Sequence, residues 1–383
     1  MRILHICAGN LYGGIEKLLV TFASERRLCP EMEPVFGVCF DGRLAEELRA
    51  AGVEVHLLGG VRLSRPWTGW RARRRLNNLL VTSPRFDLAI THSGWLHAVF
   101  ASAVRGMGTP LWFWAHDSYG APSRIDRIAA RTKPDRIVAN SYFTLSTVPR
   151  VFPDIPGEVI YCAVPAPAPM DRAAVRQQVR RELGCSTASS VILMTARLET
   201  WKGHTLLLEA LSKLQPQDWV AWIAGGPQRP HEERYYAQLQ EMARKLEIAD
   251  KVRWLGQRSD MPRLLAAADI HCQPNTGPEP FGIVFIEAMQ AGAPVVTTRL
   301  GAAPETVDDT CGVLTPPADA IALAEALAKL MTPEGRSRFI GGPARAKLLC
   351  DPATQLNLLR AAVARSNAGD RTVAVPDSMQ TGG

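Results

Sequence analysis

Twice along this chain, short apolar runs take turns with amphipathic ones, and the segment Ala163-Val164-Pro165-Ala166-Pro167-Ala168-Pro169-Met170 separates the two series. The first series predicts strands at 3–7, 35–39, 53–58, 86–91, 110–115, 136–139 and 158–161, with helical patterns between most of them. The second predicts strands at 190–195, 219–224, 251–255, 269–272 and 294–298, and helices at about 203–213, 231–246, 259–267 and 282–291. Helices near 318–331 and 333–348 close this half, and an amphipathic piece follows at 352–366. Such alternation builds parallel sheets covered by helices. Three prolines in five positions of the separating segment forbid helix and supply few ladder donors, so it reads as a stiff linker. The expected organisation is a first domain at 1–162, a linker at 163–174, a second domain at 175–350, a C-terminal helix at 351–366 packing back on the first domain, and a disordered polar tail at 367–383.

A chain of 383 residues is long for one core and suits two domains. No run approaches the ~18 apolar residues that a membrane-spanning helix needs. The opening Met1-Arg2-Ile3-Leu4-His5-Ile6-Cys7 is too short for a signal-peptide core and reads as a strand. Eight scattered cysteines without a C-x-x-C pair argue against a zinc ribbon or disulfide scaffold and for a reducing cytoplasm. The formal charge of +7 favours anionic partners without choosing among nucleotides, nucleic acid and lipid head groups.

In doubly wound sheets, ligands bind outside the carboxyl ends of the strands, so the loops there carry the chemistry. The first loop contains Gly13-Gly14 between a strand and a helix. Adjacent glycines let backbone approach a phosphate, or simply make a tight turn. It is neither a G-x-G-x-x-G fingerprint nor a P-loop. Arg197 and Lys202 bracket the loop Ala196-Arg197-Leu198-Glu199-Thr200-Trp201-Lys202, where they either close on one diphosphate or stay solvated. Gly225-Gly226-Pro227 leaves room for a flat ring or a ribose, or is a plain turn. His116-Asp117 ends a buried-looking strand, and His92 ends another; each histidine is a donor to a sugar hydroxyl or a satisfied core residue.

Glu279 and Glu287 frame Pro280-Phe281-Gly282-Ile283-Val284-Phe285-Ile286, with a helix beginning near Gly282 and stopping at Gly292. A helix start offers unpaired N–H groups and a positive dipole end, a place for phosphate oxygens. One carboxylate then reaches each end of a ligand whose middle is phosphate; the alternative is two surface charges. No D-x-D indicates a metal-bridged nucleotide–sugar site, His231-Glu232-Glu233 lacks the second histidine of a zinc protease, and no G-x-S-x-G elbow is present.

Taken in order, the glycine pair, the His-Asp, R-x4-K, Gly-Gly-Pro and E-x7-E resemble the retaining glycosyltransferases of family 4, the glycosyl transferases group 1. These have the α/β fold called GT-B, two doubly wound Rossmann-like domains facing across a cleft. The resemblance runs from Ile3 to about Ser366 and is most specific over Pro278 to Gly312. It implies a first domain toward the acceptor and a second toward a nucleotide-sugar donor, a UDP- or GDP-sugar, with no other cofactor and no metal. Gly13 and Gly14 would offer N–H groups to the diphosphate, and Arg197 and Lys202 would neutralise it as it leaves. Glu279 would hold hydroxyls of the donor sugar and Glu287 the ribose. Gly282, Ile283 and Val284 would meet phosphate or sugar oxygens, Gly225 and Gly226 would line the donor, and Gln257 would lie near the base. His116 would sit near the anomeric side, placing it with Glu279, Arg197 and Lys202 among the catalytic residues, while His92 and Asp117 fall on the acceptor side. The configuration would be retained by same-face attack through an oxocarbenium-like state, with the leaving phosphate accepting the acceptor's proton. Donor binding would close the domains and exclude water.

Cys162-Ala163 replaces the Asn-Gly of many relatives, and Gly301-Ala302-Ala303 lacks their second glycine, which bears on sugar selectivity. The acceptor is expected to be a glycan, a lipid-linked molecule or a small molecule in cell-surface polysaccharide or glycoconjugate synthesis. Arginines 71, 73, 74 and 75 beside Trp67 and Trp70 suit an anionic membrane surface at the inner face, or a solvated helix with tryptophans on the core. The rival readings are an epimerase or phosphorylase on the same fold and a non-catalytic nucleotide-sugar-binding protein. Nothing suggests a pyridoxal-phosphate lysine. No base-stacking module supports a nucleic-acid partner.

Overall fold

The computed structural model describes residues 1–62, 64–214 and 218–368. Two compact units emerge: Met1–Pro165 together with the segment from Cys350, and Ala166–Leu349. In the first, strands β1 (Arg2–Cys7), β2 (Glu33–Val38), β3 (Glu54–Leu57), β4 (Leu88–Thr91), β5 (Leu111–Ala115), β6 (Arg136–Ala139) and β7 (Gly157–Val159) form one sheet in the order β3-β2-β1-β4-β5-β6-β7. In the second, β8 (Ser190–Thr195), β9 (Trp219–Ala224), β10 (Val252–Gly256), β11 (Ile270–Gln273), β12 (Val295–Thr298) and β13 (Gly312–Thr315) take the order β10-β9-β8-β11-β12-β13. Every pairing is parallel. The order reverses between β1 and β4 in one sheet and between β8 and β11 in the other, which makes these the topological switch points.

Continuous apolar strands such as Leu111-Trp112-Phe113-Trp114-Ala115 are buried along their whole length, because helices cover both faces of a parallel sheet. Short polar caps start the helices that follow. Ser93 Oγ accepts from the Leu96 N–H at 3.4 Å, and Ser141 Oγ from the Thr144 N–H at 2.9 Å. The C-terminal helix Pro352–Asn367 is capped by Asp351 and packs against helix Gly14–Ser24 of the first unit. Arg365 on this helix lies 2.6 Å from Glu158, which also pairs with Arg136. Residues 369–383, most of the expected tail, lie outside the described residues.

Three elements differ from the sequence expectation. Helix Arg172–Glu182 occupies the end of the expected linker and the start of the second half, where no helix was expected. Strand β13 adds an edge to the second sheet. The single helix expected at 333–348 is two, Pro333–Ser337 and Gly342–Cys350. Between them Gly341 sits so close to Thr310 that a Cβ would lie 2.6 Å from its hydroxyl.

Candidate active site

Three strand ends meet at the carboxyl edge of the second sheet. Gly225 has φ +148°, and a Cβ there would lie 1.9 Å from the Ala196 carbonyl oxygen. Its N–H donates to the Gly256 carbonyl at 2.8 Å. A Cβ on Gly226 would lie 3.0 Å from the Gln257 nitrogen. The glycine pair is therefore demanded by backbone contact among the loops after β8, β9 and β10. That contact brings Arg197 and Gln257, both exposed, to one end of the sheet. The Arg197 guanidinium is 3.1 Å from Glu199.

A second close approach seats the candidate catalytic pair. Gly203 adopts the left-handed φ of +84°, and a Cβ would lie 1.8 Å from the Pro274 carbonyl oxygen. The start of helix His204–Leu211 thus presses on the loop after β11, and the Thr276 N–H donates to Trp201 O at 2.8 Å. This closeness puts Lys202 Nζ 2.7 Å from Glu279 Oε2. Gln273 Nε2 and Asn275 Nδ2 donate to the same oxygen at 3.1 and 3.3 Å. Lys202 also rests over the Trp201 ring at 3.8 Å. A carboxylate this buried loses its hydration, and three donors including a cation replace it. The Glu279 backbone is fixed too. Gly301, at φ +61°, passes so close that a Cβ would lie 2.3 Å from Glu279 O, and the Ala302 N–H donates to that oxygen at 2.8 Å.

Glu279 precedes helix Ile283–Gln290, whose N-cap Gly282 is left-handed at φ +87°. The first N–H groups of that helix, those of Ile283 and Val284, have no acceptor within it, and they sit at the positive end of its dipole. Glu287 lies on the same helix, half-buried.

In the first unit, Gly13 caps helix Gly14–Ser24, and its N–H donates to Glu16 Oε2 at 2.9 Å. The protein's own carboxylate therefore occupies an anion position at this helix start. His92 and His116 are brought together, with His92 Nδ1 2.9 Å from His116 Nε2. Both are buried, and desolvation holds them neutral: His116 falls to about 3, and His92 is lowered well below its ordinary value by burial and by its histidine neighbours. Asn140 Nδ2 donates to His116 O at 3.2 Å. Asp117 is exposed beyond the strand.

Helix Pro66–Thr82 buries Ala72, Leu76 and Leu79, while Trp67 and Trp70 are 54% and 59% exposed. The tryptophans therefore do not pack on the core. Arg74 lies over the Trp70 ring at 5.7 Å. Among the described residues no helix is long and apolar enough to cross a membrane.

Sequence reasoning missed Gln273 and Asn275. Their signal was present: two amides at the buried end of a strand, where an apolar side chain needs no donor. It also missed His5, which sits mid-strand on β1.

The family model described as Glycosyl transferases group 1 matches residues 175–346, and Glycosyltransferase Family 4 matches residues 34–166. The chain belongs to this family. Its second-unit apparatus falls within the first match, and His92 and His116 within the second. The chain is 35% identical over 183 residues to the D-inositol 3-phosphate glycosyltransferase of Corynebacterium kroppenstedtii, covering 45% of this chain and 39% of that protein. It is 30% identical over 189 residues to the GDP-mannose-dependent monoacylated alpha-(1-6)-phosphatidylinositol monomannoside mannosyltransferase of Corynebacterium glutamicum, 46% of each. The aligned region spans less than half the length of these curated relatives. The fold matches the crystal structure of Anabaena Alr3699/HepE in complex with UDP-glucose at a TM-score of 0.80 and 24% identity, over 96% of this chain and all of that one. That structure shares this chain's two-sheet GT-B architecture.

Proposed function

We propose that the protein is a retaining hexosyltransferase that moves a sugar from a nucleoside-diphosphate sugar to a hydroxyl acceptor. The observation that carries this reading is the buried convergence of Lys202, Gln273 and Asn275 on Glu279 Oε2. A surface ion pair would not be built this way. Three donors hold the carboxylate in one pose, and Oε1 accepts from hydroxyls of the transferred sugar. Lys202 and Arg197 supply positive charge to the diphosphate as the glycosidic bond breaks. Charge that develops in the transition state then meets charge already in place. Ile283 and Val284 N–H groups take phosphate oxygens, Glu287 takes the ribose, and Gly225, Gly226 and Gln257 surround the base. In the first unit, Gly14 offers an N–H at the helix start whose neighbouring N–H Glu16 already holds, and His116 donates to the sugar.

The donor is a UDP- or GDP-sugar: the Anabaena structural relative is named with UDP-glucose and the Corynebacterium glutamicum relative with GDP-mannose. The acceptor is a polyol or a lipid-linked glycan of cell-surface glycoconjugate synthesis; one curated relative is named for D-inositol 3-phosphate and the other for a phosphatidylinositol monomannoside. For a lipid-linked acceptor, the exposed Trp67 and Trp70 with their arginines rest on an anionic membrane surface. Replacing both tryptophans by alanine should abolish flotation with anionic vesicles at low salt while leaving the melting temperature unchanged. Wild-type protein that fails to float ends this part of the proposal.

The principal test follows nucleoside diphosphate release from a panel of UDP- and GDP-sugars, with inositol phosphates and lipid-linked glycans as acceptors. Lys202→Ala and Glu279→Gln should each lower kcat by about 10²–10³. Circular dichroism should show both variants folded. Wild type that releases nothing with any donor and acceptor pair overturns the assignment.

A further inference from the structure

A row of three imidazoles crosses the first unit along one face of its sheet. His5 lies on β1, His92 follows β4 and His116 follows β5, on three strands that are neighbours in that order. His5 Nδ1 is 3.0 Å from His92 Nε2, and His92 Nδ1 is 2.9 Å from His116 Nε2. Both separations are hydrogen bonds. A metal would need nitrogens about 2.0–2.1 Å from itself, and among the described residues no group of side chains is arranged to hold one. The rings are wedged among aromatics. His5 stacks on Phe36 at 5.3 Å and meets the edge of Phe22, while His92 and His116 stack on Trp114 at 5.5 and 5.8 Å. Burial keeps all three neutral, with His5 and His116 lowered to about 3 and His92 lowered as well.

A neutral imidazole carries one N–H and one lone pair. Three such rings in a row satisfy both contacts in only two ways. Either every Nδ1 carries the hydrogen, or every Nε2 does. Any mixture sets two hydrogens or two lone pairs face to face. The tautomer of His5 therefore dictates that of His116, two strands away. Of the two arrangements, hydrogen on every Nδ1 is the one in which His116 can donate beyond the row, as the function proposed above needs. The row then ends in an N–H at His116 Nδ1, on the least buried of the three rings.

We propose that His5 and His92 are positioning residues that hold His116 in a single tautomer and orientation, with Nδ1 presented as a hydrogen donor to an oxygen of the transferred sugar. The sugar's identity as ligand and the direction of the row rest on the function proposed above; the coupling of the three rings into one tautomer does not. The conventional expectation for three buried histidines is packing alone, and packing would not specify which nitrogen carries the proton.

The test uses the full chain labelled with ¹⁵N, and ring nitrogen shifts read by multiple-bond ¹H–¹⁵N spectra. In wild type His116 should show a protonated Nδ1 and a bare Nε2. His5→Phe keeps a ring on Phe36 but removes the hydrogen bond, so His116 should become a mixture of tautomers. His5→Asn sets an amide near the place of Nδ1 and should restore the single form. With UDP-glucose or GDP-mannose, whichever is turned over, kcat of His5→Phe should fall about tenfold at unchanged KM, the effect expected for one lost hydrogen bond, and His5→Asn should recover most of it. A wild-type His116 with mixed tautomers or hydrogen on Nε2 overturns the proposal. So does a folded His5→Phe whose His116 shifts or kcat match wild type. Should His5→Phe not fold, the wild-type spectrum and the His5→Asn variant still decide. Should no donor turn over, the function proposed above fails while the ring spectra continue to answer the tautomer question.

Discussion

Gly203 shows how one residue without a side chain holds two charged ones in register. Its left-handed backbone, at φ +84°, and its contact with the Pro274 carbonyl allow Lys202 to reach Glu279 across 77 positions of sequence. Gly203→Ala adds a methyl group where only 1.8 Å separates the new Cβ from that oxygen. The loop must shift, and the left-handed backbone carries its own strain. A cost of about 3 kcal/mol follows from the two effects, which lowers Tm by roughly 6–12 °C for a unit of this size. Activity should fall further than the lost stability explains at 25 °C, because the shift parts Lys202 from Glu279. Gly106→Ala is the control, since nothing lies within 4 Å of its added carbon. Equal melting temperatures for the two variants, measured by calorimetry, would show that the close approach is not needed.

Among the elements, helix Arg172–Glu182 is held by charge rather than by an apolar stripe. Only Val179 and Arg180 are buried on it. Arg180 lies 2.5 Å from Asp269 and also donates to the carbonyls of Ala267 and Ser189, while Arg176 reaches the other Asp269 oxygen at 2.6 Å. Asp269 in turn accepts from the Val191 N–H at 2.7 Å, so the cluster ties this helix to the start of β8. Arg180→Ala removes one of the cationic partners of a buried carboxylate and the donor to several carbonyls, and should cost about 3 kcal/mol. Urea unfolding of the variant with an unchanged midpoint would refute that. The same cluster explains why the helix was illegible. Periodicity finds helices by their apolar face, and here a guanidinium takes that place. Strand β13 escaped for another reason: it is four residues long and begins at Gly312, where a Cβ would lie 2.2 Å from Val295 O. The remaining strands were legible because parallel strands buried on both faces must be continuously apolar. At the candidate site, the loop glycines and loop charges stood out at strand ends, and the close backbone contacts of Gly203, Gly225 and Gly301 give those glycines a physical reason. The roles of Gln273, Asn275 and His5 were not legible, although two amides at a strand end were a signal of their own. Their partners lie elsewhere in the sequence, and only the sheet brings them together.

For the whole molecule, the buried histidines set a limit on acid tolerance. Six of the eight histidines are buried. Desolvation lowers His5, His116 and His271 to about 3 and His97 and His204 to about 4, and it lowers His92 as well. In the unfolded chain each returns to about 6.5. Below that pH the unfolded state binds protons that the folded state refuses, so stability falls as pH falls. Each histidine contributes a slope of up to about 1.4 kcal/mol per pH unit. The loss begins near 6.5 and continues down to about 4 for His97 and His204, and to about 3 for the other three with stated values. Above 6.5 these groups contribute no pH dependence. The burden is unequal between the units. His5, His92, His97 and His116 belong to the first, and His204 and His271 to the second. At pH 5 each costs about 2 kcal/mol, so the first unit loses about twice what the second does. Calorimetry at pH 7 and pH 5 should show the transition of the first unit moving down further, and ring ¹H shifts of its four histidines should stay flat across that range. If both transitions hold their positions, or the second unit moves further, these imidazoles do not remain neutral in the folded protein. The same measurement bears on His116, because a ring that took up a proton at pH 5 could not share its hydrogen bonds along the row from His5.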